Sequence, residues 1–323
     1  MATVIRSLDA LPSTMRGGAV SVGNFDGVHR GHAALAAELV RLAREVGGPA
    51  VVMTFDPPPV AILVPNRPPT PPLTTISRRA ELLGGLGVDG LIAYPTDRTL
   101  LELTPEAFFQ RILVQRLQIR AIVEGPNFRF GRDRAGDTAL LAELCKQAKI
   151  RLSIVPPAVD EQGEMISSTR IRRLIAAGNI EEANRLLTQP YCIEGIVSKG
   201  AERGKRLGFP TANLEGIRCL MPAHGVYGGA VPLGDAWFPA AVHIGPNPTF
   251  DEQRSKVEVH VLDWEGDLYG HHLRCALLHR VREICKFDSI EALRAQLRQD
   301  IESVREGTRA GLQRLASIPA ERL

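Results

Sequence analysis

Five short, nearly continuous apolar runs, residues 19–23, 50–55, 88–94, 119–125 and 150–155, dominate the first half of this 323-residue chain. Unbroken rather than alternating hydrophobicity marks strands covered on both faces. Between the first two runs, Leu35, Leu39 and Leu42 recur at helical spacing, and Gly47, Gly48 and Pro49 close the pattern. Further helices are predicted over 78–86, 105–117 and 138–148. Strand–helix–strand repetition of this kind leaves one economical arrangement, a parallel sheet with right-handed crossovers.

Residues 57–72 break the pattern with eight prolines in sixteen positions: Pro57, Pro58, Pro59, Pro65, Pro68, Pro69, Pro71 and Pro72. That density predicts a stiff, extended loop with neither helix nor central strand. It leaves the carboxyl end of a strand, where open α/β sheets bind ligands, so a wall or lid stands beside the plainer reading of a surface connector.

After Pro190 the texture changes. Segments 192–198, 227–231, 240–245, 256–263 and 273–282 read as strands joined by Gly- and Pro-bearing turns, with Val257, Val259 and Val261 alternating with Glu258, His260 and Leu262. No long helix separates them, which predicts an antiparallel barrel or sandwich. Leu293, Leu297, Ile301 and Val304 predict a closing helix, weakened onward by Gly307 and Gly311. Two domains are therefore expected, 1–187 and 188–323, divided where Leu187-Thr188-Gln189-Pro190 ends a helix.

A net charge of +3 is too small to argue for nucleic acid or an anionic membrane as partner. The cysteines, Cys145, Cys192, Cys219, Cys275 and Cys285, form no C-x-x-C pair, so reduced thiols in the cytosol fit better than a disulfide framework or zinc site. The first residues carry no signal-like apolar stretch, and a cytoplasmic protein is expected.

Two clusters carry chemistry. The first, Gly23-Asn24-Phe25-Asp26-Gly27-Val28-His29-Arg30-Gly31-His32, joins the first predicted strand to the first helix. Its glycines permit close backbone approach, the helix start offers N–H groups to phosphate, and His29 and His32 lie on one side of that start. A helix cap or a metal pair are the competing readings. The segment resembles the H-x-G-H signature of the nucleotidyltransferase superfamily, and Ile166-Ser167-Ser168-Thr169-Arg170-Ile171-Arg172 resembles that superfamily's second motif. Gly125-Pro126-Asn127-Phe128-Arg129-Phe130-Gly131 resembles the G-x-[DN]-F-x-F-G motif of its FAD-making members. The resemblance implies that His29 and His32 stabilise an α-phosphoryl transition state. It places Gly23, Phe25, Asp26, Gly31, Ser167, Ser168, Thr169 and Arg172 at ATP, and Asn127 and Phe128 at the flavin. A core role for Phe128 and Phe130 is an equal alternative.

The second cluster is the loop from Gly195 to Asn213, rich in glycine and basic residues but lacking a Walker-type G-x-x-x-x-G-K-[ST]. Thr211 and Asn213 offer neutral oxygens to a metal already held by phosphates. Phe209-Pro210-Thr211-Ala212-Asn213 is similar to the hallmark of riboflavin kinases, and segments 222–227, 244–250, 257–263, 267–270, Arg282 and 286–288 follow in that family's order. Together the motifs resemble the bacterial bifunctional riboflavin kinase/FMN adenylyltransferases (FAD synthetases) over nearly the whole chain. The resemblance implies a Rossmann-like α/β nucleotidyltransferase domain, then an antiparallel β-barrel flavokinase domain with a C-terminal helix. It implies riboflavin, FMN, FAD and ATP as substrates and products, Mg²⁺ brought with ATP, Glu258 as base, and Gly204, Lys205, Pro210 and Thr211 at the phosphates, with Thr211 and Asn213 at the metal. One departure stands out: Pro58 occupies the place of a histidine in the family's F-D-P-H-P segment. An enzyme with only the kinase working is the alternative, and a non-catalytic flavin-binding protein is a more distant one.

Overall fold

The computed structural model describes every residue except 65, 67, 69, 201–203, 205, 206, 251 and 317–323. Its contacts divide the chain into two compact units, Met1–Thr70 with Thr74–Ser167, and Pro71–Leu73 with Ser168–Leu323.

In the first unit six strands form a sheet in the order β1-β4-β3-β2-β5-β6. They are β1 (Thr3–Ile5), β2 (Ala19–Val22), β3 (Ala50–Phe55), β4 (Gly90–Tyr94), β5 (Ala121–Glu124) and β6 (Arg151–Ile154), and every pairing between neighbours is parallel. All five apolar runs are strands, and β2, β3 and β4 are buried along almost their whole length, as unbroken hydrophobicity requires. The pleat sends Val20, Val22, Val51, Met53 and Ile92 to one side of the sheet, and Ala19, Ala50, Val52 and Leu91 to the other. Helix α1 (Arg30–Glu45) packs on the second side through Ala36, Leu39 and Leu42. The edge strand β1 is three residues long and was not expected.

The proline segment corrects one expectation. Pro59–Leu63 forms a helical turn, α2, with Pro58 as its N-cap and Pro59 at the first helical position. A proline there gives up an N–H that has no intrahelical acceptor anyway, and Val60, Ala61, Ile62 and Leu63 follow without interruption. Pro65 and Pro69 of the same segment lie outside the described residues. Helices α3 (Ile76–Gly85), α4 (Arg98–Leu101) and α5 (Pro105–Phe108) follow; Phe109–Arg116 continues α5 in π-helical form, and α6 spans Thr138–Ala148.

In the second unit, β7 (Cys192–Ser198), β8 (Ala212–Glu215), β9 (Gly225–Leu233), β10 (Ala236–Asn247), β11 (Glu252–Val261) and β12 (His272–Arg282) close a barrel in the order β10-β11-β8-β7-β12-β9, antiparallel throughout. Strand β8 was not expected, because its sequence is the tail of the Phe209–Asn213 motif. Helices α7 (Ser168–Ala176) and α8 (Ile180–Leu186) belong to this unit, ahead of the boundary expected at 187. Asn184 Nδ2 donates to Leu277 O of β12 at 2.9 Å, which ties α8 to the barrel.

The last helix, α9 (Ile290–Ala316), runs straight through Gly307 and Gly311, contrary to the expected weakening. A Cβ at Gly307 would lie 2.4 Å from His279 Cε1, and one at Gly311 would lie 2.7 Å from Leu278 Cδ1. Both glycines are where α9 touches β12, so their cost in helix propensity is offset by close packing.

Candidate active sites

In the first unit the loop from Gly23 to His29 leaves β2 at the carboxyl edge of the sheet. Its backbone is contorted: Phe25, Gly27 and Val28 have φ of 47°, 84° and 40°. A β-branched residue at positive φ is strained and persists only where its surroundings hold it. Here the holding is done from inside. Asp26 Oδ1 accepts from Arg79 Nη2 at 2.9 Å, from Thr74 N at 3.0 Å and from Thr74 Oγ1 at 3.1 Å. Arg79 Nη1 also donates to Asn24 O at 2.7 Å, and Gly27 N–H donates to Thr74 Oγ1 at 3.1 Å. Both members of the Arg79–Asp26 ion pair are buried, with side-chain exposures of 6% and 5%.

That loop delivers His29 to the N-cap of α1, where its Nδ1 accepts from His32 N–H at 3.3 Å. An Nδ1 that accepts is unprotonated, so the neutral ring carries its proton on Nε2 and presents a donor there. The His29 and His32 rings stack at 3.6 Å and 16°, with Phe25 at 4.8 Å from His32. Burial pulls His29 down to about 4 against the opposing influence of Asp26. His32 is pulled well below the usual histidine range by burial first, then by His29 and Arg79. Both rings are therefore neutral near pH 7. His32 Nδ1 is buried and has no hydrogen-bond partner among the described residues. Gly31 permits the fold-back of His29: a Cβ would lie 3.1 Å from that ring, and 3.7 Å from Ile166 O at the start of the second motif.

In the second unit β8 lies between β7 and β11, with Asn213 registered against Ser198 on one side and Glu258 on the other. A cavity beside this ladder is lined by Gly204, Thr211, Asn213, Lys256, Glu258 and Arg282. Glu258 Oε2 accepts from Asn247 Nδ2 at 3.1 Å, and its Oε1 lies 3.3 Å from Lys256 Nζ, which pairs in turn with Glu252 at 2.6 Å. His243, registered opposite Glu258, points Nε2 at Gly245 O (3.3 Å) and Pro246 O (3.2 Å), holding the bend that brings Asn247 round. Burial lowers the His243 pKa more than Glu258 raises it. His260 Nδ1 donates to Pro210 O at 2.7 Å and so ties the Pro210–Thr211 segment to β11. Arg282 is clamped by Asp300 of α9, with Nε at 2.9 Å and Nη2 at 2.8 Å, and its guanidinium lies 5.6 Å from the Phe287 ring centre.

Residues 11–170 match the family model of FAD synthetase, and residues 187–308 match that of riboflavin kinase. A bifunctional riboflavin kinase/FMN adenylyltransferase of Escherichia coli K12 is 36% identical, covering 94% of this chain and 97% of its own. The corresponding protein of Pseudomonas fluorescens is 35% identical over 94% of this chain and 96% of its own. The chain belongs to the bifunctional riboflavin kinase/FMN adenylyltransferase family. A crystal structure named as a macrolide-efflux protein from Streptococcus pneumoniae has a TM-score of 0.83 and 33% identity, covering 94% of this chain and 98% of its own. Among the described residues, no helix is long and apolar enough to cross a membrane.

Set against the family's motifs, the expected residues fall into distinct groups. Thr211, Asn213, Gly204 and Glu258 line one cavity. His29, His32 and Gly31 form one turn with Ile166 beside it, and Ser167 follows directly. Phe25 and Asp26, expected at ATP, are buried, at 2% and 4%, and Asp26 braces the turn through Arg79 and Thr74. Gly23 is half-buried at the exit of β2. Ser168, Thr169 and Arg172 occupy the first turns of α7. Asn127 is exposed, while Phe128 stacks on Phe130 at 5.4 Å against the core. Pro210 is anchored by His260, and Lys205 lies outside the described residues. Arg79, Lys256, Asn247 and Asp300 shape these sites although sequence reasoning gave none of them a role there. Asn247 alone had a local signal, its place in the 244–250 motif.

Proposed function

We propose that this chain phosphorylates riboflavin to FMN in its C-terminal domain, 188–323, and adenylylates FMN to FAD in its N-terminal domain, 1–187. The observation that carries the reading is Glu258, a carboxylate held by Asn247 and Lys256 in the same cavity as Thr211 and Asn213. Simple flavin binding has no use for a positioned base. Matches to both family models favour two activities over a kinase alone.

For the kinase step, Glu258 accepts the proton of the ribityl 5′-hydroxyl as that oxygen attacks the γ-phosphorus of ATP, and ADP leaves. The cavity suits a triphosphate carrying a hard cation. A Cβ at Gly200 would lie 2.1 Å from Asn213 Nδ2, and one at Gly204 would lie 3.2 Å from Thr211 Oγ1, so the glycines leave room directly beside two neutral oxygen-bearing side chains. Thr211 and Asn213 would hold Mg²⁺, which neutralises phosphate charge when bound. Gly204, Lys205 and Pro210 would flank the phosphates.

For the second step, an FMN phosphate oxygen attacks the α-phosphorus of ATP and pyrophosphate leaves. The attacking oxygen is already anionic, so the site needs donors rather than a base. Neutral His29 provides one at Nε2, and His32 lies against it. The family motif assigns the leaving pyrophosphate to Ser167, Ser168, Thr169 and Arg172, and the flavin to Asn127 and Phe128. The free cysteines are in keeping with a reducing, cytoplasmic setting. Two assays test the proposal: ADP release that depends on riboflavin, and pyrophosphate release that depends on FMN. Absence of the second would reduce the chain to a kinase; absence of both would leave a binding protein.

A further inference from the structure

A buried carboxyl stands at the mouth of the parallel sheet. Glu124, the last residue of β5, is 3% exposed and lies far in sequence from the turn it serves. The β2–β5 ladder pairs Ala19 with Ala121 and Val20 with Ile122. Two residues further on, Val22 N–H donates to the Glu124 side chain, Oε1, at 2.7 Å. The chain leaves β2 through α1 to β3 on one side, while β5 lies on the other. Strand order reverses between β2 and β5, which is where an open α/β sheet leaves its ligand crevice.

The exit of β2 is thus held from both sides. Gly23 N–H donates to Met53 O of β3 at 2.9 Å, and Val22 N–H, one residue earlier, is taken by Glu124. The next residues are the strained loop that ends at His29. Burial pushes the Glu124 carboxyl well above the usual carboxylate range, against the opposing pull of the Val22 N–H. The neutral acid favoured by burial keeps a carbonyl oxygen for Val22 and brings no negative charge to a crevice that must admit phosphate.

We infer that Glu124 is a positioning residue of the adenylyl-transfer site, fixing the end of β2 in the β2–β5 crevice and with it the loop that delivers His29. The inference rests on the adenylyl-transfer reading above. Its test uses the full chain with Glu124→Leu and Glu124→Gln, measuring FAD formation from FMN, riboflavin phosphorylation, and hydrogen exchange at the Val22 amide. Glu124→Leu should lower kcat for FAD formation by about 10²-fold, the usual scale for a displaced catalytic turn, with little change in KM for ATP and none in the kinase rate. The Val22 amide should exchange faster. Glu124→Gln retains an uncharged carbonyl acceptor and should restore both the rate and the protection. Where Glu124→Leu does not fold, Glu124→Asp, too short to reach Val22, takes its place with the same expectation. A Leu or Asp variant with parental FAD formation overturns the inference, as does a Gln variant no better than Leu. A parent chain that makes no FAD would sink the adenylyl-transfer reading itself, a separate result.

Discussion

The two sites meet the same demand, a triphosphate to be gripped and made reactive, with opposite materials. In the parallel-sheet unit the groups proposed to work are neutral imidazoles, and the charges of Asp26 and Arg79 are buried. On the barrel the charges line the cavity: Glu258 and Lys256 keep 19% and 25% of their side chains accessible. Attack by a phosphate anion needs donors and no base; attack by an alcohol needs a base. In the proposed reading the chemistry of the nucleophile accounts for the difference. A buried ion pair can brace a strained loop, whereas a half-exposed one can adjust as a substrate arrives.

This contrast can be broken most sharply at Arg79. Arg79→Met leaves Asp26 buried without its cation, which should cost about 3–5 kcal/mol of stability. Chemical denaturation followed by FAD-forming activity should show the loss, with the kinase spared. On the barrel the equivalent bracing is steric. Gly307→Ala places a methyl 2.4 Å from His279 Cε1 and should destabilise the barrel by about 1–3 kcal/mol, read as a lower melting temperature for kinase activity. Lys256→Met, by comparison, removes two partly exposed pairs, with Glu252 and Glu258, worth about 0–1 kcal/mol each, so the melting temperature should move little. The smallest effect is on pH dependence. Burial holds His29 at about 4, so protonation removes its neutral form only in acid. kcat/KM for FMN adenylylation should therefore show no histidine step on going from about pH 8 to pH 6, since that ratio reports free-enzyme ionisations. A step near the ordinary histidine value, beyond the phosphate ionisation of FMN itself at about pH 6, would mean that the ring is solvated.

Much of this architecture was legible in the residues themselves. Continuous apolar runs announce strands buried on both faces, and alternation around Val257, Val259 and Val261 announces a strand with two different faces, of a barrel or a sandwich. Short or context-dependent elements escaped: β1 takes its strand form only by pairing with β4, and α2 hides among prolines because its one helical proline sits where no N–H is needed. Gly307 and Gly311 looked like helix weakeners because the closeness of β12 has no local signature. The family resemblance singled out His29, Thr211, Asn213 and Glu258, and the last three line one cavity. Their supports were not: Arg79 meets Asp26 across 53 positions, and Glu124 meets Val22 across 102. A buried charge or acid explained only by a distant partner carries no pattern in the chain around it.

The division of labour between a base-bearing barrel and a donor-bearing sheet is tested most directly by separating flavins chromatographically after incubation with Mg²⁺-ATP. Glu258→Gln should leave riboflavin unconverted yet turn supplied FMN into FAD at the parental rate. His29→Ala should accumulate FMN from riboflavin while FAD formation falls by about 10²–10³-fold. If either substitution removed both activities, FMN formation from riboflavin and FAD formation from supplied FMN, or if neither removed either one, the two chemistries would not reside where the proposal puts them.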